Sequence, residues 1–106
     1  MKRAKISDMV GGWFVGNFTP SIYFSSEFEA CVKWYKKGET ELSHYQKKAI
    51  EITVIISGIA RMGDVIIEPG DIILLEPGEV CDFEALEDII LVAVKSPSLP
   101  SDKVAI

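Results

Sequence analysis

Short apolar runs, rich in β-branched residues and separated by Gly and Pro, constrain this chain most. The run Ala49–Ser57 contains four isoleucines. Two further runs would be apolar on both faces of a strand, namely Asp71–Glu76 and Asp88–Lys95. Few segments are long or periodic enough for a helix. Short strands without a covering helix hide their edges by closing on themselves. The sequence therefore predicts an all-β fold, a barrel or sandwich of short antiparallel strands.

The connecting segments have specific turn chemistry. Gly63-Asp64 suits a two-residue hairpin that pairs Ile59–Met62 with Val65–Ile67, because glycine tolerates the positive φ of primed turns. Glu68–Asp71 and Glu76–Glu79 both place Pro second and Gly third, as type II turns do. Earlier strands are predicted over Gly12–Phe18, Phe28–Lys36 and Glu41–Lys47, and a helical turn near Asp8–Gly12.

The chain has the length of one domain. Its 106 residues, of which 48% are hydrophobic, suffice for a single core. We expect one domain over 1–106, with a core barrel over about 12–96. Residues 97–106 are expected to form an irregular tail, because Pro100 cannot donate a backbone hydrogen bond to a strand.

Charge and hydropathy exclude two classes of partner. The formal charge is -5 and the basic residues are scattered, so we expect no nucleic-acid binding. No apolar run approaches the roughly 18 residues of a membrane-spanning helix, and no signal peptide is evident. We therefore expect a cytoplasmic protein without membrane contact. Cys31 and Cys81 are expected to be free thiols, since disulfides are rare in the cytosol.

The polar residues that suggest chemistry cluster between Gly38 and Glu51. On a strand over Glu41–Lys47, alternation places Leu42, His44 and Gln46 on one face. Glu51 interrupts the isoleucine-rich strand that follows, where an unpartnered carboxylate is costly to desolvate. A bound cation, a hydrogen-bond donor or charged His44 would satisfy it.

This spacing resembles the first motif of the cupin superfamily, in which Gly, five residues, His-x-His, three or four residues, Glu, six residues and Gly follow one another. Gly38, His44, Glu51 and Gly58 fall on those positions. The second motif, Gly, a Pro-Gly turn and His, is similar to Gly70, Pro77-Gly78 and Cys81. The resemblance implies a cupin-type jelly-roll β-barrel.

The resemblance also implies a divalent metal ion, such as iron, manganese, nickel or zinc. In metal-binding cupins the ligands are the two histidines and the Glu of the first motif and the His of the second. This chain keeps His44 and Glu51, while Gln46 and Cys81 stand at the other two positions. We predict a metal site of His44, Gln46 and Glu51, with the amide oxygen of Gln46 as the weaker ligand.

The strand over Phe28–Lys36 has one polar and one apolar face. If the polar face is inward, Glu29, Lys33 and Tyr35 line a ligand pocket, with Cys81 as a further candidate; charged residues more often face water. The residue pattern does not decide between the two orientations. An aromatic group near the N-terminus is expected in the core or in a dimer contact: Trp13, Phe14, Phe18, Tyr23, Phe24 and Phe28.

Three hypotheses about function follow. The first is a metal-assisted isomerase, epimerase or lyase acting on a small polar, sugar-related metabolite. The second is a non-catalytic cupin that binds a small ligand with little or no metal. The third is a structural dimerisation domain built on the stripe Ile50, Ile52, Val54 and Ile56, in which we also expect Ile52 and Val54 to contribute to the core. A homodimer is expected in each case.

Overall fold

The computed structural model describes residues 1–106 as two β-sheets facing each other. Two short 3-10 helices, Ile6–Asp8 and Val10–Gly12, precede the strands. The strands are β1 (Trp13–Gly16), β2 (Tyr23–Phe24), β3 (Glu29–Tyr35), β4 (Thr40–Gln46), β5 (Ile50–Ser57), β6 (Ala60–Met62), β7 (Val65–Ile67), β8 (Ile72–Leu75), β9 (Cys81–Ala85), β10 (Ile89–Ser96) and β11 (Lys103–Ala105). This architecture confirms the predicted all-β jelly roll.

The sheets have six and five strands. The order is β2-β1-β3-β10-β5-β8 in the first and β11-β4-β9-β6-β7 in the second. All pairs are antiparallel except β1 with β2. No helical segment has the length and hydropathy that a membrane-spanning helix needs.

The turn predictions are confirmed. Gly63-Asp64 joins β6 to β7, whose register pairs Met62 with Val65. Gly70 and Gly78 have φ of 91° and 85°, as the third position of a type II turn requires. Specific turn residues therefore fix where the short strands begin and end.

The structure corrects which face of β5 is inward. Thr53 and Ile55 are buried, at 3% and 0% exposure, and Ile55 belongs to the main hydrophobic cluster. Ile52 and Val54 are only partly buried and lie on the opposite face, so the expectation that they contribute to the core is wrong. A period of two shows which residues share a face, but it does not show which face is inside.

The solvent side of the larger sheet is apolar, and we name it the outer face. Because residues paired across strands share a side, the register aligns its side chains in rows. One row is Val32, Val92, Val54 and Ile72; flanking rows contain Trp34 with Ile90, and Val94, Ile52 and Leu74. None of these residues is charged.

The tail differs from the predicted irregular segment. Residues 97–102 contain no strand, but Lys103–Ala105 forms β11 and pairs with β4. Asp102 anchors this return: its carboxylate accepts backbone hydrogen bonds from Lys48 and Ala49, each at 3.0 Å. Asp102 itself is only 6% exposed. The tail therefore returns to the sheet after Pro100 and forms a short strand against β4.

We expect Asp102→Ala to lower the free energy of unfolding by about 2 kcal/mol, because it leaves the N–H groups of Lys48 and of buried Ala49 without their acceptor. Urea denaturation measures the loss. Asp8→Ala, an exposed aspartate without side-chain hydrogen bonds, is the matched control. Equal stability of the two variants would contradict the anchoring role.

Candidate functional site

A cavity of about 240 Å³ lies between the two sheets. It is smaller than the roughly 300–1,000 Å³ typical of pockets for drug-sized ligands, so its size suits a small metabolite. Its apolar floor includes Met62, Leu75, Phe83 and Leu91. Charged and hydroxyl groups project above this floor from several strands, and the site consists of these groups.

The polar face of β3 is the inward one. Glu29, Lys33 and Tyr35 all line the cavity, together with Cys31. Trp34, on the other face, is 57% exposed. This decides the orientation that the sequence left open: the alternation places charged side chains inside the barrel and apolar ones outside.

Tyr35, Glu41 and Lys103 form a connected group at the cavity wall. The Tyr35 hydroxyl donates a hydrogen bond to Glu41 Oε1 at 3.0 Å, and Lys103 Nζ lies 3.7 Å from Glu41 Oε2. Burial first, and the Glu41 carboxylate next, raise the pKa of Tyr35 far above its ordinary value. Tyr35 therefore keeps its proton and acts here as a hydrogen-bond donor.

Glu41 reaches the cavity because of a β-bulge. The β4–β9 register shifts between Glu41, which pairs with Phe83, and His44, which pairs with Cys81. Glu41 and His44 thus both face inward, and Leu42, which we predicted beside His44, is 79% exposed. That placement of Leu42 is wrong because a bulge inserts one extra residue and breaks the alternation.

The pKa of Glu41 reflects opposing effects. Burial raises the pKa of the carboxyl, but Lys103 and the Tyr35 hydroxyl outweigh it and hold the pKa below its ordinary value. Glu41 is consequently a carboxylate over the whole neutral range. With Tyr35 it offers a fixed donor and acceptor at one wall of the cavity.

His44 lines the same cavity with one ring nitrogen free. Its Nδ1 lies 2.9 Å from the Leu42 carbonyl oxygen, and since a carbonyl only accepts, Nδ1 carries a hydrogen. In the neutral ring Nε2 is then an acceptor with no protein partner. His44 can accept a hydrogen bond or a proton from a ligand at this position.

Glu51 and Gln46 are in contact, but only Glu51 lines the main cavity. Gln46 Nε2 lies 3.4 Å from Glu51 Oε2, a long hydrogen bond. Gln46 is 5% exposed and borders a separate small cavity of about 90 Å³ under the tail. Gln46 therefore supports the Glu51 carboxylate from behind, whereas Glu51 and His44 are brought together in one cavity.

Both thiols are free and protonated. Cys31 is fully buried, and burial raises its pKa to about 11. Cys81 lines the cavity, its Sγ donates to the Asp82 carbonyl at 3.2 Å, and burial again raises its pKa. At neutral pH neither residue is therefore a free thiolate nucleophile.

No three His, Cys, Asp or Glu side chains converge closely enough to hold an ion. The Gln46 amide directs its NH₂ group towards Glu51, and Cys81 donates rather than accepts. The metal site of His44, Gln46 and Glu51 stays a prediction, and we derive no chemistry through it.

Besides Glu41, three further polar or aromatic residues of the lining were not predicted as site residues, and they come from strands far from β4 in sequence. Trp13 of β1, Lys95 of β10 and Lys103 of β11 border the cavity with β3 and β4. Their strands are distant in sequence and adjacent only in the folded sheets. The alternation of β10 carried a partial signal, since Lys95 follows a run that is otherwise apolar.

No protein-family model matches the chain, and no curated protein matches it. Many solved structures, in contrast, match the chain. A conserved protein with a double-stranded β-helix domain from Klebsiella pneumoniae aligns at TM-score 0.70 and 23% identity, over 76% of this chain and 71% of that one. A sugar phosphate isomerase from the cupin superfamily, from Silicibacter pomeroyi, aligns at TM-score 0.62 and 19% identity, over 67% and 51% of the two chains.

This chain has the cupin fold. The DMSP lyase DddQ from Ruegeria pomeroyi shares it at TM-score 0.72 and 18% identity, over 88% of this chain and 49% of that chain. At these identities the comparisons show the cupin fold alone. The function must be argued from the cavity.

Proposed function

We propose that this cupin binds a small polar metabolite in the cavity between its sheets. The observation that carries the proposal is the placement of Glu41, His44, Glu51 and Tyr35 around one cavity of about 240 Å³ with an apolar floor. Binding sites combine an apolar surface with a few oriented polar groups in this way. A purely structural domain would keep charged side chains in water, whereas here charged groups line an internal cavity and apolar residues cover the outer face.

The chemistry of the groups favours a hydroxylated ligand. Glu51 and Glu41 are acceptors for ligand hydroxyls, and His44 Nε2 is a third. Neither the Glu51 nor the Glu41 carboxylate has its full set of hydrogen-bond donors within the protein. A sugar or a hydroxy acid would supply the missing donors.

A catalytic role on a sugar-related metabolite is the second candidate. The proximity of His44 and Glu51 to one cavity favours it, since a proton acceptor and a carboxylate are what an isomerase, epimerase or lyase needs to move a proton next to a carbonyl. Two proteins of this fold are named as a sugar phosphate isomerase and a lyase. In this role His44 Nε2 would accept the proton from one carbon and, as the imidazolium, return it to the neighbouring position, while the Glu51 carboxylate would orient the substrate.

We test the proposal with a panel of monosaccharides and hydroxy acids, monitored by ligand-observed NMR. Glu51→Gln preserves the side-chain volume and removes the charge, so we expect at least a tenfold loss of affinity for the compounds that bind, given about 1.5–3 kcal/mol for a hydrogen bond to a charged group. Thermal unfolding should change little. Glu68→Gln, an exposed turn residue, is the control and should bind as the wild type does.

The same spectra separate the alternatives. New product signals over time would establish the catalytic candidate, and their loss in the His44→Asn variant would assign the proton transfer. Binding that requires added zinc or manganese, and that tightens in Gln46→His, would replace the metal-free site with the predicted metal site. No saturable binding by any compound, or equal binding by Glu51→Gln, would contradict the proposal.

A further inference from the structure

Two lysines converge on one aromatic ring at the cavity wall. The ring centroid of Trp13 lies 5.0 Å from Lys95 Nζ and 5.8 Å from Lys33 Nζ. Both lysines and Trp13 line the cavity. Lys33 faces inward on β3 and Lys95 on the adjacent strand β10, so the backbone of a single sheet sets their positions.

Neither ammonium group has a carboxylate partner within 4.0 Å, whereas Lys103 pairs with Glu41 and Arg61 pairs with Asp82 and Glu84. Lys95 is in register with Glu29 on one side and Glu51 on the other, yet its Nζ is directed at Trp13. Glu29 instead accepts a hydrogen bond from Ser98 Oγ at 3.0 Å. A cation over an aromatic face gains only about 0.5–2 kcal/mol.

The half-buried ammonium groups of Lys33 and Lys95 lie above an apolar floor without an anion to balance their charge. Their mutual repulsion and lost hydration are relieved when an anion lies between them. The flanking carboxylates of Glu29 and Glu51 disfavour a doubly charged phosphate at the same place and would accept hydrogen bonds from hydroxyls next to the anion. A singly charged carboxylate on a hydroxylated carbon chain satisfies both requirements.

We propose that Lys33 and Lys95 form an anion subsite beside Trp13 that binds the carboxylate of a small hydroxylated acid. The inference rests on the proposed function, since it assigns the substrate class of the same cavity. It also adds a direction: the acid group lies against β3 and β10, and the hydroxyls extend towards Glu51 and His44. Two charge-assisted contacts should make the binding weaken as the salt concentration rises.

The test uses three probes that differ at one carbon: D-glucuronate, D-glucose and D-glucose 6-phosphate. The chain has two tryptophans, so a ¹H–¹⁵N spectrum shows two indole signals, which Trp34→Phe assigns. We expect D-glucuronate to shift the Trp13 signal saturably and to bind at least tenfold more tightly than D-glucose, with D-glucose 6-phosphate weaker than the glucuronate.

The variants assign the preference to the two lysines. Lys33→Gln and Lys95→Gln should each reduce the preference for glucuronate, and the double variant should abolish it. Lys37→Gln, which alters an exposed lysine outside the cavity, should retain it. Far-ultraviolet circular dichroism of each variant verifies the fold.

Two results overturn the inference and leave the proposed function intact: equal binding of glucose and glucuronate, and a preference that survives in the Lys33→Gln/Lys95→Gln variant. Tighter binding of D-glucose 6-phosphate would also overturn it, since the carboxylate assignment would be wrong. The absence of any saturable response to all three probes counts against the subsite. Only the wider panel of sugars and hydroxy acids decides the proposed function.

Discussion

Ile55→Ala is expected to lower the free energy of unfolding by about 3 kcal/mol, within the range of about 2–5 kcal/mol for truncating a buried isoleucine. Ile55 is 0% exposed and packs in the cluster that includes Ile67, Phe83 and Ile89. The truncation removes its apolar contacts and leaves a cavity that the close-packed strands cannot fill. Urea denaturation followed by tryptophan fluorescence measures the difference.

Leu42→Ala is the matched control. Leu42 also lies within a strand and is also a large aliphatic residue, but it is 79% exposed within the bulge of β4. We expect a change below about 0.5 kcal/mol, the usual size for a surface substitution. A large loss in Leu42→Ala would mean that β4 has no bulge and that Leu42 faces the core, as simple alternation predicts. Equal small losses in both variants would place the core elsewhere.

The fold could be predicted because local chemistry determines it. Turn residues such as Gly63, Gly70 and Gly78 mark where strands end, and β-branched runs mark the strands between them. Strand β9 was missed, although Cys81, Phe83 and Ala85 alternate with charged residues in the pattern of a half-buried strand. The short β11 had no comparable signal, since its pairing with β4 depends on the anchoring of Asp102.

The site could be predicted only in part. The spacing of His44 and Glu51 placed them together, and the polar alternation of β3 supplied Glu29, Lys33 and Tyr35 as one possible orientation. Glu41 could not be found, because no local feature of β4 reveals the bulge. Trp13 and Lys95 come from strands that are adjacent only after folding.

The composition of β5 explains why the sequence favours the wrong face of this strand as the core. Ile50, Ile52 and Val54 are more hydrophobic than Glu51 and Thr53, and hydrophobic burial favours the isoleucine stripe as the core. A barrel with a polar cavity needs the opposite arrangement. Exposing the apolar side chains of the outer face to water is unfavourable. A contact with another chain would account for this exposure.

We propose that the outer face is the contact between two copies of this chain. The nine side chains of its three rows, on four strands spaced about 4.8 Å apart, give it an area of about 300 Å². That is within the range of the largest apolar patches of ordinary monomers, about 300–600 Å², and it is less than half of the roughly 800 Å² that each partner buries in a standard interface. The polar rim usual around an interface core supplies the rest. A two-fold axis through the face would place each row against its copy.

Ile72→Glu is expected to convert the homodimer into a monomer of 11.7 kDa, raising the dissociation constant at least a hundredfold, because the two-fold axis introduces the buried charge twice. Ile72 is 70% exposed in the single chain, so the variant should fold normally. Tyr23→Glu tests the aromatic N-terminal region instead: Tyr23 is 66% exposed on β2, at the opposite end of the same sheet from β8. Sedimentation equilibrium should show a dimer for the wild type and for Tyr23→Glu, and a monomer for Ile72→Glu. Dissociation by Tyr23→Glu alone would move the contact to the aromatic region, and a monomeric wild type would leave the outer face without a second copy.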